Sequence, residues 1–281
     1  MKPQVFLSFF LLLLLFIIPG CKQAPLSSNP IPPNRKHILV TNSTFESALQ
    51  EFPLPADLKI TRLSEPGTCP GHYDILPSQA LSIREASLIL RFDFQSSLDP
   101  KIKTISNHSE EKIRIIPSSP GMCKPETYLR ICQEIGKILQ QQNLISLNTK
   151  EEYLRSIEKR LNTLSEQLHQ EIQTKALLEC QILVSPHQEE FCRWLGLTPA
   201  GTFSSADNFT VKDLANSIKK GNTENISLII ANEPEGRKVA DLLGEKLHTP
   251  VIVFSNFPQL GVRYPFDEML KKNIRSLPNL K

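Results

Sequence analysis

Two histidines stand where side chains could hold a metal ion. His72 ends the turn-rich run Glu65-Pro-Gly-Thr-Cys-Pro-Gly-His72, and His187 follows the apolar run Gln181-Ile-Leu-Val-Ser185 and Pro186. Each falls in a loop beside the carboxyl end of a predicted strand, where open α/β sheets place their ligands. Two imidazoles facing one cleft could bind a transition ion such as zinc or manganese. His37, His108 and His248 have weaker contexts, and His169, on a predicted helix, is expected to face water. The chain carries no G-x-S-x-G elbow, Walker loop, G-x-G-x-x-G or H-E-x-x-H motif. It therefore reads as a non-enzyme with no catalytic cofactor.

A second chemistry belongs to Cys21. Lys2 precedes the apolar run Val5 to Ile18, interrupted by Ser8. That run is short of the roughly 20 residues a bilayer span needs, but it suits a signal-peptide core. Ile18-Pro-Gly-Cys21 resembles a bacterial lipobox, which makes Cys21 the lipid-attachment residue and first residue of the mature chain. Residues 22–36, with Pro25, Pro30, Pro32 and Pro33, cannot bury a core and read as a tether. Cys69, Cys123, Cys132, Cys180 and Cys192 remain, an odd number for an oxidising compartment. Cys180 and Cys192, at the start of a predicted strand and on the next helix, are the candidate disulfide. A formal charge of +3 without a long basic run argues against nucleic acid as a partner.

The elements that must position these residues alternate. Strands are expected over 37–41, 58–63, 87–92 and 113–116, with helices over 43–51, 77–85 and 125–142. This is the pattern of a parallel α/β sheet. Thr149 and Glu152 then form a T-x-x-E capping-box pattern. Tyr153, Ile157, Leu161, Leu164, Leu168 and Ile172 recur at helical spacing, with no Gly or Pro between Lys150 and Leu178. This predicts one long helix with a single apolar stripe, a spine along the body. The alternation resumes with strands at 181–185, 226–231 and 251–254, and helices at 187–195, 211–219, 234–247 and 264–277. The expected fold is two Rossmann-like α/β lobes joined by one long rigid helix, with a cleft between them. The expected divisions are a signal peptide (1–20), a lipidated tether (21–36), an N-terminal lobe (37–147), a linking helix (148–178) and a C-terminal lobe (179–281).

The stretch from Glu65 to Leu81 resembles the first metal-ligand segment of the cluster A-I substrate-binding proteins, the zinc and manganese receptors of ABC importers. The similarity continues through Ala86-Ser-Leu-Ile-Leu90, the long helix, Val184-Ser-Pro-His187, Leu195-Gly-Leu197, Glu233-Pro234 and Val251-Ile-Val-Phe254. It implies that His72 and His187 are metal ligands. Gly71 adjoins His72 where the family has Pro, and Glu233 stands at the family's largely structural strand-end Glu. Ser119 to Pro125 lacks the family's second histidine, so Cys123 is a candidate ligand there. Ser255 stands where the family's last Asp ligand would be. The resemblance implies a monomeric receptor, lipid-anchored to the cell envelope on its periplasmic or outer face. Such a receptor passes a divalent ion, zinc before manganese, to a permease and its ATPase. The missing ligands support an alternative: a surface lipoprotein of this fold that has lost metal binding and acts as an interaction or adhesion module.

Overall fold

The structure is a computed structural model that describes residues 36–65, 68, 73–106 and 110–279. The leader, Cys21, nearly all of the tether, Cys69, His72 and His108 lie outside the described residues.

The first sheet comprises β1 (His37–Val40), β2 (Lys59–Arg62), β3 (Leu88–Phe92) and β4 (Ile113–Ile116), in the order β2-β1-β3-β4 and parallel throughout. Between its strands run α1 (Ser43–Leu49), α2 (Ala80–Glu85) and α3 (Asp99–Ile105). The second sheet repeats this order as β6-β5-β7-β8, again all parallel. Its strands are β5 (Gln181–Val184), β6 (Thr198–Thr202), β7 (Leu228–Asn232) and β8 (Val251–Phe254). They alternate with α6 (Pro186–Trp194), α7 (Val211–Thr223) and α8 (Lys238–Leu247), and α9 (Pro265–Arg275) ends the chain's regular structure. Between the two sets lie α4 (Pro125–Gln141) and α5 (Leu147–Thr174). All of this belongs to one compact unit, Arg35–Lys281.

The central strands are apolar on both faces because both are covered, as parallel sheets require. Side chains alternate along a strand, and the alternation sorts the core. Ile38, Val40, Leu88, Leu90 and Phe92 point into a core shared with Ile182, Val184, Leu228, Ile230 and Phe254 of the other sheet. Leu39 and Ile89 face the opposite way, onto Ile83 and Ile102 of α2 and α3. Leu183, Ile229 and Ala231 do the same toward α8.

Helix α5 supplies the shared core's spine. Its 28 residues extend about 42 Å, and Ile157, Leu161, Leu164, Leu168 and Ile172 are buried as the spacing predicts. Its start differs from the expectation. Ser146, not Thr149, is the N-cap: its side chain accepts from the Thr149 backbone N–H at 3.1 Å, so the helix begins at Leu147. His169 also departs from the expectation of facing water. Its Nδ1 lies 2.8 Å from the Ser165 carbonyl oxygen and its Nε2 2.8 Å from that of Trp194, with the Trp194 ring 4.3 Å away. It ties the spine to the end of α6.

A polar network crosses between the lobes. Arg160 on α5 donates to Glu51 at 2.5 Å and also to Asp267 on α9. Tyr128 on α4 donates to Glu51 at 3.2 Å and lies 2.9 Å from the Ser47 hydroxyl. Its ring stacks on Phe266 at 3.9 Å, and Arg160 covers the Tyr264 ring at 4.2 Å. Both carboxylates are almost fully buried, with side chains 6% exposed.

Two elements were not expected. Strand β6 has the sequence Thr-Pro-Ala-Gly-Thr, which disfavours a strand, but it sits at the sheet edge, where a missing N–H is tolerated. Helix α3 opens on Asp99-Pro100, and Asp99 is held by a two-pronged ion pair from the buried Arg91 at 2.6 and 2.7 Å.

Candidate functional site

The site grows from the carboxyl ends of β5, β7 and β8. At the end of β5, Ser185 N-caps α6 and Pro186 fills the first turn, where its lack of an N–H costs nothing. The Ser185 hydroxyl accepts from the His187 backbone N–H at 3.3 Å and donates to Glu235 Oε2. The His187 side chain is 61% exposed, and its Nε2 lies 3.5 Å from Glu235 Oε1. Glu235 closes the short turn Glu233–Glu235 directly after β7, and Gly236, at φ 73°, lets the chain leave it toward α8. A cavity of about 10 Å³ adjoins Glu235, Asn232, Ser204 and Ser205, room for about one water molecule.

Gln188, the next residue on α6, points inward. Its Nε2 donates to Asn232 Oδ1 at 3.0 Å, while its Oε1 and the Asn256 Oδ1 have no hydrogen-bond partner among the described residues. Cys123 lies on the same buried side. Its thiol donates to the Ser255 carbonyl at 3.6 Å and hydrogen-bonds Gln188. Only 1% of Cys123 is exposed, and burial pushes its pKa up to about 12. The thiol is therefore protonated at neutral pH. Ser255 is held as well: its N–H donates to Asn273 Oδ1 at 2.9 Å, and its carbonyl accepts from Asn273 Nδ2 at 2.8 Å.

The sequence-expected residues thus separate. His187 is on the open side of α6, Cys123 on the closed side, and His72 lies outside the described residues. No three His, Cys, Asp or Glu side chains converge as a metal site among the described residues. Glu235 was not foreseen, although the pattern Asn-Glu-Pro-Glu-Gly at a strand end places a second carboxylate two residues past Glu233.

The expected Cys180–Cys192 disulfide is not formed, and both thiols are free. Cys180 Sγ turns to the Gln181 carbonyl at 3.9 Å and to Ser227, whereas Cys192 is buried in the shared core, where it senses Cys123. Neighbouring positions in sequence leave the two side chains facing different surroundings. A separate hollow of about 320 Å³ lies between β6 and α7, lined by residues including Thr202, Asp213, Ser217 and Lys220.

The fold, two four-stranded parallel sheets with a long helix between the two sets of elements, is shared with solved periplasmic metal-binding and substrate-binding proteins. Among solved structures, ZnuA matches with a TM-score of 0.68 at 16% identity, over 86% of this chain and 99% of that one. The substrate-binding protein FpvC of P. aeruginosa, in complex with Ni2+, matches at 0.70 and 12% identity over 86% and 95%. A Mn-bound periplasmic metal-binding protein of Candidatus Liberibacter asiaticus matches at 0.66 and 12% over 86% and 98%. No family model and no curated protein sequence matches the chain.

Proposed function

We propose that this chain is an extracytoplasmic receptor of an ABC importer that captures a divalent transition metal between its lobes, zinc in preference to manganese. His72 and His187 carry the cargo, and the ion is handed to a permease and its ATPase. The mature protein starts at Cys21, whose lipid anchors a monomer to the cell envelope through a tether ending near residue 36. The lobes then span 37–147 and 179–281 about a linking helix, 148–178.

The observation that carries this reading is His187 itself. It stands exposed at the first turn of α6, with a carboxylate beside it, on a fold shared with zinc-, nickel- and manganese-bound receptors. Cys123 supports it less, because a thiol buried by the protein has to lose its proton before it can ligate. That same closed Cys123, with Ser255 tied to Asn273, favours a second reading: a surface lipoprotein that keeps the fold as an interaction module.

Calorimetric titration of the metal-stripped full-length protein with zinc and manganese separates the two. One-to-one binding, weakened at least tenfold, about 1.4 kcal/mol, by His72→Ala and by His187→Ala, is expected. No binding by the wild type would leave only the interaction module.

A further inference from the structure

We propose that the hollow between β6 and α7 is a second ligand site, apart from the strand-end site, for a small polyhydroxylated monoanion of the sugar-acid type. It owes nothing to metal capture. One wall is a face of α7. Asp213, Asn216, Ser217 and Lys220 recur at i, i+3, i+4 and i+7, and all four line the hollow. Leu214 and Ile218, each one position further on, carry the packing of the helix against the core of the second sheet. A polar stripe on such a helix ordinarily faces open water; this one faces a strand across a hollow of about 320 Å³. The other wall is the end of β6. The register slips between Ile182 and Leu183, so that Pro199 and Gly201 stand opposite them and Ala200 is the extra residue of a bulge. Gly201 keeps the hollow open, because a Cβ there would come within 3.2 Å of the Lys220 stem.

The lining sets the chemistry of the ligand. Thr202, Ser204, Asn216, Ser217 and Lys220 make no side-chain hydrogen bond or ion pair among the described residues. Their hydroxyls and amide both donate and accept, as ligand hydroxyls require. Lys220 is the one cation lining the hollow among the described residues, and it takes the anionic group. Asp213 is held ionised: hydrogen bonds from the Thr210 hydroxyl at 2.6 Å and N–H at 2.9 Å keep its pKa below the usual carboxylate range. Both reach Oδ2, which leaves Oδ1 to accept from a ligand hydroxyl and to repel a second negative charge. A carboxylate therefore suits the site better than a phosphate ester, which carries about two charges. Asp213 and Lys220 are seven residues apart, about 10.5 Å along the helix axis. Hydrogen bonds of about 2.8 Å at each end leave about 5 Å between the ligand's terminal groups, the span of one sugar ring. Phe203 and Phe209 give the hollow an apolar side for the C–H face of that ring. The volume lies at the small end of ligand pockets.

The test is calorimetric titration of the full-length protein with sodium glucuronate, with glucose and acetate as probes that lack the charge and the hydroxyls in turn. One-to-one glucuronate binding is expected. Glucose and acetate should each bind about tenfold or more weakly, the worth of one charge-assisted hydrogen bond. Lys220→Gln should weaken glucuronate by about the same factor and leave glucose unchanged. Ser217→Phe, which fills the hollow from the helix side, should abolish binding of both, and Asn216→Trp serves if that variant does not fold. No glucuronate binding by the wild type would overturn the site. Acetate binding as tightly as glucuronate would also overturn it, by marking a simple anion site. Full glucuronate affinity in Lys220→Gln, or in a folded variant with the hollow filled, would place the sugar acid elsewhere and do the same.

Discussion

Replacing Arg160 with Met tests how the two lobes are held to the spine. The guanidinium is the single cation between Glu51 and Asp267 in the network described above, and both carboxylates are 6% exposed. Met keeps much of the stem's volume, so the loss is electrostatic: two buried carboxylates lose the donor that compensates them. Removing one partner of a buried ion pair typically costs about 3–5 kcal/mol. For a chain of this size each kcal/mol lowers Tm by about 2–4 °C, so the variant should melt roughly 6–20 °C below wild type. The pH dependence gives the argument a sign. Burial already raises the Glu51 pKa, against the lowering effect of Arg160. A carboxyl whose folded pKa is raised contributes stability below its unfolded pKa and loses it as pH rises through the folded pKa. Without Arg160 that folded value rises further, so the defect of Arg160→Met should shrink as the pH is lowered from 7.5 toward 5. The readout is thermal unfolding followed by circular dichroism at several pH values. A loss of under about 1 kcal/mol, the range of exposed ion pairs, would refute the claim that this network joins the lobes. A defect that grows on acidification would refute the role given to Glu51.

Three further outcomes follow from the same structure. Leu164→Ala, in the middle of the buried stripe of α5, should cost about 2–5 kcal/mol in urea unfolding, and a loss under 1 kcal/mol would mean the stripe is not packed. Ser146→Ala should lose about 1 kcal/mol because Ser146 is the cap, whereas Glu152→Gln should be neutral; the reverse ranking would restore Thr149 as the helix start. Cys123, Cys132 and Cys192 are buried, and burial raises their pKa values. Iodoacetamide at pH 8 should therefore modify them only in the unfolded protein, and rapid labelling of Cys123 in the native state, located by mass spectrometry, would show it to be open.

Much of the fold was legible because the sequence carries two clear periods. Runs such as His37-Ile-Leu-Val40 and Leu228-Ile-Ile-Ala231 are apolar on both faces, which marks central parallel strands. The stripe from Ile157 to Ile172 marks a one-sided helix. What was missed is what tertiary context decides. Thr198-Pro-Ala-Gly-Thr202 becomes a strand because β5 offers it an open edge, against its own propensity. Ser146 outcompetes Thr149 as a cap because the chain arrives there in extended geometry, at φ −78° and ψ 164°. His169 looked like a surface residue because its partners are backbone carbonyls, one of them 25 residues away. The candidate site was legible only in part for the same reason: the sequence marks His187 by its strand-end position, but Glu235 comes beside it only once β5 and β7 are paired.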